Sequence, residues 1–309
     1  MTVRLDRRMF GLVVLLCLAA CTADSAPQDA AEKIDVLLIP ADGGTESGTL
    51  ADYQPLFNAV GNATGLSFEL KVAQSYGAVV QSMCDGSADV AFVGPVTYIQ
   101  AEERGCAELL AVARENGQSI YYAGLFSRKE SALRNIGDLR GKSVAFGDVN
   151  SASSFTYQVA MLLEAGIDPV KDMGALRLTG THANSLAALV EQRVDAAALS
   201  FDSYEKAVRS GVPGAQDLQV IARSEAIPYP PLVMNTALPP ELKAQLRTAF
   251  GDVAKLPGIR PEMIRGYGGR QVDGYDTGFP HDRFASAAGK MALLNDEIRG
   301  EILKKAAER

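Results

Sequence analysis

Three serines lie close together at a junction between a strand and a helix, namely Ser151, Ser153 and Ser154. The strand is the short apolar run at residues 144–146, and the helix that follows can end at Gly166. A serine can cap such a helix, whose first turn presents unpaired backbone N–H groups and the positive end of the helix dipole. These residue types in this order therefore predict a binding site for a phosphate-like oxyanion.

A different chemistry is conceivable for three side chains, because Ser153, His182 and Asp202 occur in an order that suggests a hydrolytic triad. Against this interpretation, the sequence contains no Gly-x-Ser-x-Gly elbow, and Ser153 opens a helix in the predicted anion-binding turn. We therefore expect a binding protein and not an enzyme. A hydrolase that uses these three residues is the less favoured alternative.

These residues must be positioned by an alternation of strands and helices that starts near residue 34. The first half of the chain predicts strands at 34–40, 66–73, 90–93, 109–113 and 121–127, and helices at 50–63, 76–84 and 96–104. The second half predicts strands at 143–146, 175–179, 196–200 and 218–223, and helices at 153–165, 183–192 and 202–210. Such alternation is typical of an α/β fold with mostly parallel sheets covered by helices.

The last part of the chain has a different composition. It predicts a strand at 233–235, a helix at 239–255, a loop rich in Gly, Pro and Tyr at 256–280, and a helical tail at 281–307. A helix–Asp–strand corner at residues 83–92 is echoed at 189–198, which favours two similar lobes.

The N-terminal segment predicts export. Three arginines precede an apolar run at residues 9–20 that is too short to span a bilayer. The run ends in Leu18-Ala19-Ala20-Cys21, which resembles a bacterial lipobox and predicts lipidation of Cys21. Residues 1–20 are then a lipoprotein signal peptide and residues 21–33 a flexible tether. A simple cleaved signal peptide is the alternative, and the choice between general secretion and twin-arginine export stays open.

Net charge and cysteine content limit the function further. Removal of residues 1–20, which contain three Arg and one Asp, changes the formal net charge from −7 to −9 and argues against a nucleic-acid partner. Cys17 leaves with the signal peptide and Cys21 carries the lipid. The remaining pair, Cys84 and Cys106, predicts a disulfide in an exported protein. No CxxC or His/Cys cluster predicts a metal site.

Several separated motifs resemble one known family, the phosphate-, phosphite- and phosphonate-binding receptors of bacterial ABC importers, of the type 2 periplasmic-binding-protein fold. The resemblance extends from about residue 34 to about residue 260. It is carried by Tyr53-Gln-Pro-Leu56, Gln74-Ser-Tyr76, Gly86-Ser-Ala-Asp89, Gly94-Pro95-Val-Thr-Tyr98, Asp138-Leu-Arg-Gly-Lys142, Asn150-Ser-Ala-Ser153, Gly166-Ile-Asp168, Gly180-Thr-His182, Val194-Asp195 and Ile227-Pro228.

The resemblance implies two α/β lobes joined by two crossover strands, with the ligand in the cleft between them. Lobe 1 is expected at residues 34–125 and 228–309, with a C-terminal helix, and lobe 2 at 126–227. Such receptors close on the ligand by a hinge motion. The family implies a monomer outside the cytoplasm, here attached to the membrane through the lipid on Cys21, which delivers a small phosphorus anion to an ABC permease without a cofactor.

The resemblance also implies roles for particular residues. Two family tyrosines that face the ligand fall on Tyr76 and on Tyr121, with Tyr122 as the alternative if the register slips by one. The family's cleft histidine falls on His182, whose charge near neutral pH would tune a contact with a phosphonate oxygen. A family carboxylate that receives the ligand's amine in aminoalkylphosphonate binders falls on Asp202.

The chain departs from the family pattern at two positions. The family's Ser-Thr-Ser oxyanion turn falls on Ser151, Ala152 and Ser153, so one hydroxyl donor is lost while the backbone N–H stays. A second acidic residue of the amine binders falls on Pro230. We therefore expect a small oxyanion or another phosphonate rather than 2-aminoethylphosphonate. The same fold could also serve another organic anion or a sensory lipoprotein.

Overall fold

The computed structural model describes residues 33–40 and 45–308. The predicted signal peptide and the lipidation site at Cys21 lie outside the described residues. Lys33, the last residue of the predicted tether, already belongs to the first strand. None of the helices in the described part of the chain is long and apolar enough to cross a membrane.

Strands and helices alternate along most of the described chain. In order they are β1 (Lys33–Leu38), α1 (Glu46–Thr64), β2 (Ser67–Val72), α2 (Tyr76–Asp85), β3 (Val90–Phe92), α3 (Pro95–Glu103), β4 (Ala107–Arg114), β5 (Ile120–Tyr121), β6 (Ala123–Arg128), β7 (Ser143–Phe146), α4 (Tyr157–Glu164), β8 (Ala175–Leu178), α5 (His182–Val190), β9 (Ala196–Ser200), α6 (Phe201–Arg209), β10 (Leu218–Arg223), β11 (Ile227–Pro228), β12 (Pro231–Asn235), α7 (Pro240–Gly251), β13 (Gly274–Asp276), α8 (Ala285–Leu293) and α9 (Asp296–Ala307).

The strands form two main sheets. The first has the order β13-β4-β12-β3-β1-β2, in which β1 is parallel to β2 and β3 while β12 and β13 run antiparallel to their neighbours. The second has the order β10-β6-β9-β7-β8, with β7 parallel to β8 and β9. The short strands β5 and β11 pair antiparallel with each other and lie where the chain passes between the two sheets. The predicted two-lobe α/β fold with two crossover strands is confirmed.

Apolar strands buried on both faces explain why helices cover both sheets. All residues of β3 and of β9 are buried, as expected for central strands in α/β proteins. Helix α1 places Tyr53, Phe57 and Val60 at helical spacing against the first sheet. Gly65 ends this helix at a φ of 77°, a left-handed conformation that glycine adopts without strain.

The predicted disulfide is confirmed. Cys84, near the end of α2, is bonded to Cys106, which directly precedes β4, and their Cα atoms are 4.7 Å apart. The bridge closes a loop with a sequence separation of 22. On the chain-entropy model such a crosslink stabilises the fold by about 3 kcal/mol.

The structure differs from the sequence-based expectations at two places near the crossover. The strand predicted at 121–127 is divided, because β5 pairs with β11 whereas β6 pairs with β9 and β10. The second sheet therefore begins at Ala123, three residues before the predicted boundary. The loop predicted at 256–280 contains β13, which pairs with β4 at the edge of the first sheet.

The C-terminal segment also differs from its prediction. The helical tail is broken into α8 and α9 at Asn295, whose side chain caps α9 by accepting from the N–H of Ile298 at 2.9 Å. Leu294 and Ile302 lie in the core beneath the second sheet. The Nζ of Lys305 donates to the carbonyl oxygen of Met173, 2.6 Å away. The assignment of residues 228–309 to lobe 1 is thus wrong for α9, which packs against lobe 2.

Candidate functional site

The serine-rich turn lies directly after β7, as the sequence predicts, but its first helical turn is wider than an α-helix. Residues Ala152–Thr156 form a π-helical turn that leads into α4. Ser151 is its N-cap and accepts from the N–H of Ser154 at 3.2 Å. Ser153 and Ser154 are buried as well. Such π-turns occur often at functional sites, and here the turn places hydroxyl and N–H groups inside the protein.

A buried glutamine that the sequence analysis missed supports the turn. Nε2 of Gln158 donates to the carbonyl oxygens of Ser153 at 2.5 Å, Gly124 at 3.2 Å and Leu199 at 3.3 Å. Its side chain is fully buried. It thereby holds the turn against β6 and β9. Its position on the apolar face of the predicted helix, beside Phe155 and Val159, is the signal that could have identified it.

Tyr121 is the tyrosine that reaches the turn. It lies on crossover strand β5, is buried, and its phenol interacts with the side chain of Ser153. Burial raises the pKa of the Tyr121 phenol well above its usual value, so the group stays protonated and can donate. Tyr122 lies elsewhere, since the guanidinium of Arg223 stacks on its ring at 3.8 Å.

Tyr76 approaches the same region from lobe 1. It is the first residue of α2, it is buried, and its phenol lies within electrostatic reach of the Tyr121 phenol. Its backbone N–H donates to Oδ2 of Asp148 in lobe 2, 3.3 Å away. Burial raises the pKa of the Asp148 carboxyl. The structure therefore brings Tyr76, Tyr121 and the serine turn together.

Further hydrogen bonds and an ion pair join the two lobes. Nε2 of Gln100 in α3 donates to Oδ1 of Asn150 at 3.0 Å, and the hydroxyl of Thr97 donates to the Asn150 carbonyl at 3.2 Å. Nζ of Lys206 in α6 lies 2.5 Å from Oδ2 of Asp52 in α1. The cleft is consequently closed in this structure.

His182 is held between two partners at the first residue of α5. Its Nδ1 accepts from the N–H of Ser200 at 3.1 Å, so the neutral ring carries its proton on Nε2 and donates to the hydroxyl of Tyr267 at 2.9 Å. Burial lowers the pKa of His182 to about 3. The expectation that its charge changes near neutral pH is therefore wrong, because desolvation keeps the imidazole neutral.

The arrangement of Ser153, His182 and Asp202 does not support a triad. Both ring nitrogens of His182 are engaged, one by the backbone of Ser200 and the other by Tyr267. Ser153 interacts with Tyr121 and not with an imidazole that could take its proton.

Asp202 lies in the first turn of α6, with a side chain that is 8% exposed. It influences the phenols of Tyr121 and Tyr229 electrostatically, which places it on the same side of the cleft. Nη1 of Arg270 lies 3.7 Å from Oδ1 of Asp202. Arg270, like Tyr267, belongs to the segment predicted as a loop, so the sequence analysis missed both.

Pro230 is buried next to Tyr229 and supplies no carboxylate. Within the described residues, no group of three or more His, Cys, Asp or Glu side chains could hold a metal ion.

Comparison with known proteins identifies one family over most of the chain. Residues 44–268 match the family described as ABC transporter, phosphonate, periplasmic substrate-binding protein. The phosphate-import protein PhnD of Mycolicibacterium smegmatis is 29% identical over 266 residues, which cover 81% of this chain and 82% of that protein.

Solved structures with low sequence identity share the fold. A binding protein component of an ABC phosphonate transporter from Pseudomonas aeruginosa superposes with a TM-score of 0.76 at 20% identity, covering 90% of each chain. PhnD1 from Prochlorococcus marinus in complex with methylphosphonate gives a TM-score of 0.70 at 14% identity, covering 85% of this chain and 98% of that one.

Proposed function

The chain belongs to the family of periplasmic substrate-binding proteins of phosphonate ABC transporters, and we propose that its cleft binds a phosphorus oxyanion at the turn of residues 151–154. The observation that carries this assignment is the turn itself. It is buried, it opens a helix, and none of its four side chains bears a charge.

The chemistry of the turn suits a phosphoryl group. Ser151 and Ser153 offer hydroxyls, and the first helical turn offers N–H groups and the positive end of the dipole. The phenol of Tyr121 lies against Ser153, and that of Tyr76 approaches from the other lobe. Donors from both lobes around one anion would stabilise the closed cleft, as expected for a receptor that closes on its ligand.

Delivery to an ABC permease follows from the family, whose members bind solutes outside the cytoplasm. We propose in addition that the chain acts as a monomer and is attached to the membrane by lipid on Cys21. His182 supports the cleft through Tyr267 and Ser200 rather than through a change of its own charge.

Calorimetric titration of residues 22–309 tests the proposal. The ligands are phosphate, phosphite, methylphosphonate and 2-aminoethylphosphonate, with sulfate as the control anion. We expect tight binding of at least one phosphorus compound. The absence of binding across the panel, by folded protein freed of ligand, would contradict the proposal and favour another organic anion.

Substitution of the turn locates the site. Ser153→Ala should weaken binding by about 1–3 kcal/mol, the range for removal of one partner of a charged acceptor. Ser210→Ala, at an exposed serine of the same lobe, is the matched control. Equal affinities of the two variants would show that the oxyanion binds elsewhere than at this turn.

A further inference from the structure

Asn150 joins the predicted oxyanion turn to the other lobe. It lies in the loop that follows β7, directly before Ser151, the N-cap of the turn. In lobe 1, Nε2 of Gln100 donates to Oδ1 of Asn150 at 3.0 Å, and the hydroxyl of Thr97 donates to the Asn150 carbonyl oxygen at 3.2 Å. A single residue of lobe 2 thus accepts two hydrogen bonds across the cleft.

The two donors lie on one face of α3. Thr97 and Gln100 are three positions apart, a spacing that places two side chains next to each other on a helix. Thr97 is fully buried and Gln100 is half-buried, so packing within lobe 1 restricts both donors. The Asn150 amide also lies against Gly77 in the first turn of α2, since a Cβ on that glycine would be 3.4 Å from Nδ2. Lobe 1 therefore offers Asn150 a preformed binding position.

The loop leaves little freedom between Asn150 and the turn. The N–H of Asn150 donates to Oδ1 of Asp148 at 2.8 Å, and the N–H of Ser151 donates to the Asp148 carbonyl oxygen at 2.9 Å. The hydroxyl of Ser151 accepts from the N–H of Ser154 at 3.2 Å, and its carbonyl oxygen accepts from the N–H of Thr156 at 3.0 Å. This segment is consequently one hydrogen-bonded unit, and a displacement of the turn displaces Asn150 with it.

We propose that Asn150 is a positioning residue, which couples occupancy of the oxyanion turn to closure of the cleft. The inference rests on the proposed function and concerns how that same site controls the two lobes. An anion held by the turn restricts the loop to the conformation that Thr97 and Gln100 bind. The ligand in lobe 2 and the donors of lobe 1 therefore stabilise the same closed state. In this role Asn150 contacts lobe 1 and not the anion.

The proposed coupling has a kinetic consequence. The anion enters an open cleft, whereas it leaves only after the closed cleft has opened. Loss of a hydrogen bond that exists only in the closed state should therefore raise the dissociation rate and leave the association rate nearly unchanged. The usual net contribution of one neutral hydrogen bond corresponds to an increase of about two- to tenfold.

The test measures lobe closure and anion exchange together in residues 22–309. Glu241→Cys and Ser210→Cys place a donor and an acceptor fluorophore at exposed positions of lobe 1 and lobe 2, and Cys84 and Cys106 do not react because they are bonded to each other. Stopped-flow mixing with phosphate, phosphite, methylphosphonate and 2-aminoethylphosphonate gives the association and dissociation rates. Energy transfer at saturation gives the closed fraction.

Two variants remove the same hydrogen bond from opposite lobes. Asn150→Ala and Gln100→Ala should each raise the dissociation rate about two- to tenfold and lower the closed fraction. Their combination should be no worse than Asn150→Ala alone, because both act on one bond. Thr97→Val removes the other bond, so its effect should add to that of Asn150→Ala. Asn58→Ala, which removes a Gln–Asn hydrogen bond of the same kind within α1, is the matched control.

The outcomes separate the inference from the proposed function. Binding of a phosphorus anion with unchanged dissociation rates in Asn150→Ala and Gln100→Ala would overturn the inference and leave the receptor function standing. A full additional effect of Gln100→Ala on top of Asn150→Ala, or an equal effect of Asn58→Ala, would overturn it as well. Gln100→Ala keeps the test decisive if Asn150→Ala does not fold. Binding of none of the four anions would instead reject the proposed function and the inference together.

Discussion

Two helix starts in the second lobe are capped by serine in the same way but differ in charge. Strands β7 and β9 are parallel neighbours, so the segments that follow them begin at the same edge of the sheet. Ser151 caps one start by accepting from Ser154, and Ser200 caps the other by accepting from Ser203. The α6 start carries Asp202 in its first turn, whereas residues 151–156 contain no charged side chain.

The difference shows how one sheet edge can offer a single anion site. A carboxylate near a helix N-terminus interacts favourably with the dipole and with unpaired N–H groups. Asp202 supplies such a carboxylate to α6 from within the chain. Residues 151–154 contain no carboxylate, and the nearby Asp148 accepts instead from the N–H groups of Asn150 and Tyr76. The positive end of this helix start is therefore available to a negatively charged ligand.

The largest expected effect comes from making the two starts alike. Ser153→Asp places a carboxylate in the uncharged turn. This carboxylate would occupy the proposed anion site and repel an oxyanion that approaches it. We expect the affinity for a phosphorus oxyanion to fall at least about a hundredfold, or roughly 3 kcal/mol. Calorimetric titration measures this loss, and a thermal melt checks the fold. Ser210→Asp, which adds the same charge at an exposed position, should bind as the unsubstituted protein does. Full retention of affinity in Ser153→Asp would show that the anion does not bind at the uncharged start.

An effect of intermediate size concerns His182, whose imidazole accepts from the N–H of Ser200, the N-cap of α6. Because the pKa of His182 is lowered to about 3 in the folded state, the unfolded chain binds more protons between that pH and 6.5. The contribution of the neutral His182 imidazole to the free energy of unfolding is therefore fully present at neutral pH, and it is lost as the pH falls. Between pH 7 and pH 5 this loss should amount to about 2 kcal/mol.

Urea unfolding at the two pH values measures this contribution. His182→Gln should remove most of the pH dependence that the imidazole causes. His281→Gln, at the other histidine of the chain, should retain it, because that side chain is exposed. The same pH dependence in both variants would show that His182 is not the group responsible.

The smallest expected effect separates capping from binding. Ser151→Ala and Ser200→Ala each remove one side-chain cap and should lower the free energy of unfolding by about 1 kcal/mol. Only Ser151→Ala should also weaken oxyanion binding, because only its helix start is proposed to hold the ligand. Denaturant unfolding together with titration tests both statements. A greater loss of affinity in Ser200→Ala would assign the anion to the α6 start.

Local patterns predicted much of this arrangement. The apolar run of β7 and the serines after it identified the turn, and periodic apolar residues identified α5 and α6 on either side of β9. Both signals are local, since a helix cap and its helix are adjacent in sequence. The assignment of Tyr121 over Tyr122 depended instead on the resemblance to the family.

Tyr267 and Arg270, which the sequence analysis missed, lie in a segment without a local sequence pattern that indicates their role. Tyr267 meets His182 across 85 positions of sequence, and Arg270 meets Glu205 across 65. Their segment contains no apolar period, and β13 is too short to show strand alternation. Its residues acquire a role only when the completed first lobe places them against α6. Gln158 differs, because a polar residue on an apolar helix face can be found in the sequence.

The packing of α9 on the second lobe determines when that lobe can be completed during synthesis. Its sheet is built from residues 123–223, which leave the ribosome before α9 does. Leu294 and Ile302 close the core beneath this sheet, yet they are made after all of its strands. A growing chain that lacks them cannot bury that surface, so the native packing of this lobe must await the synthesis of α9.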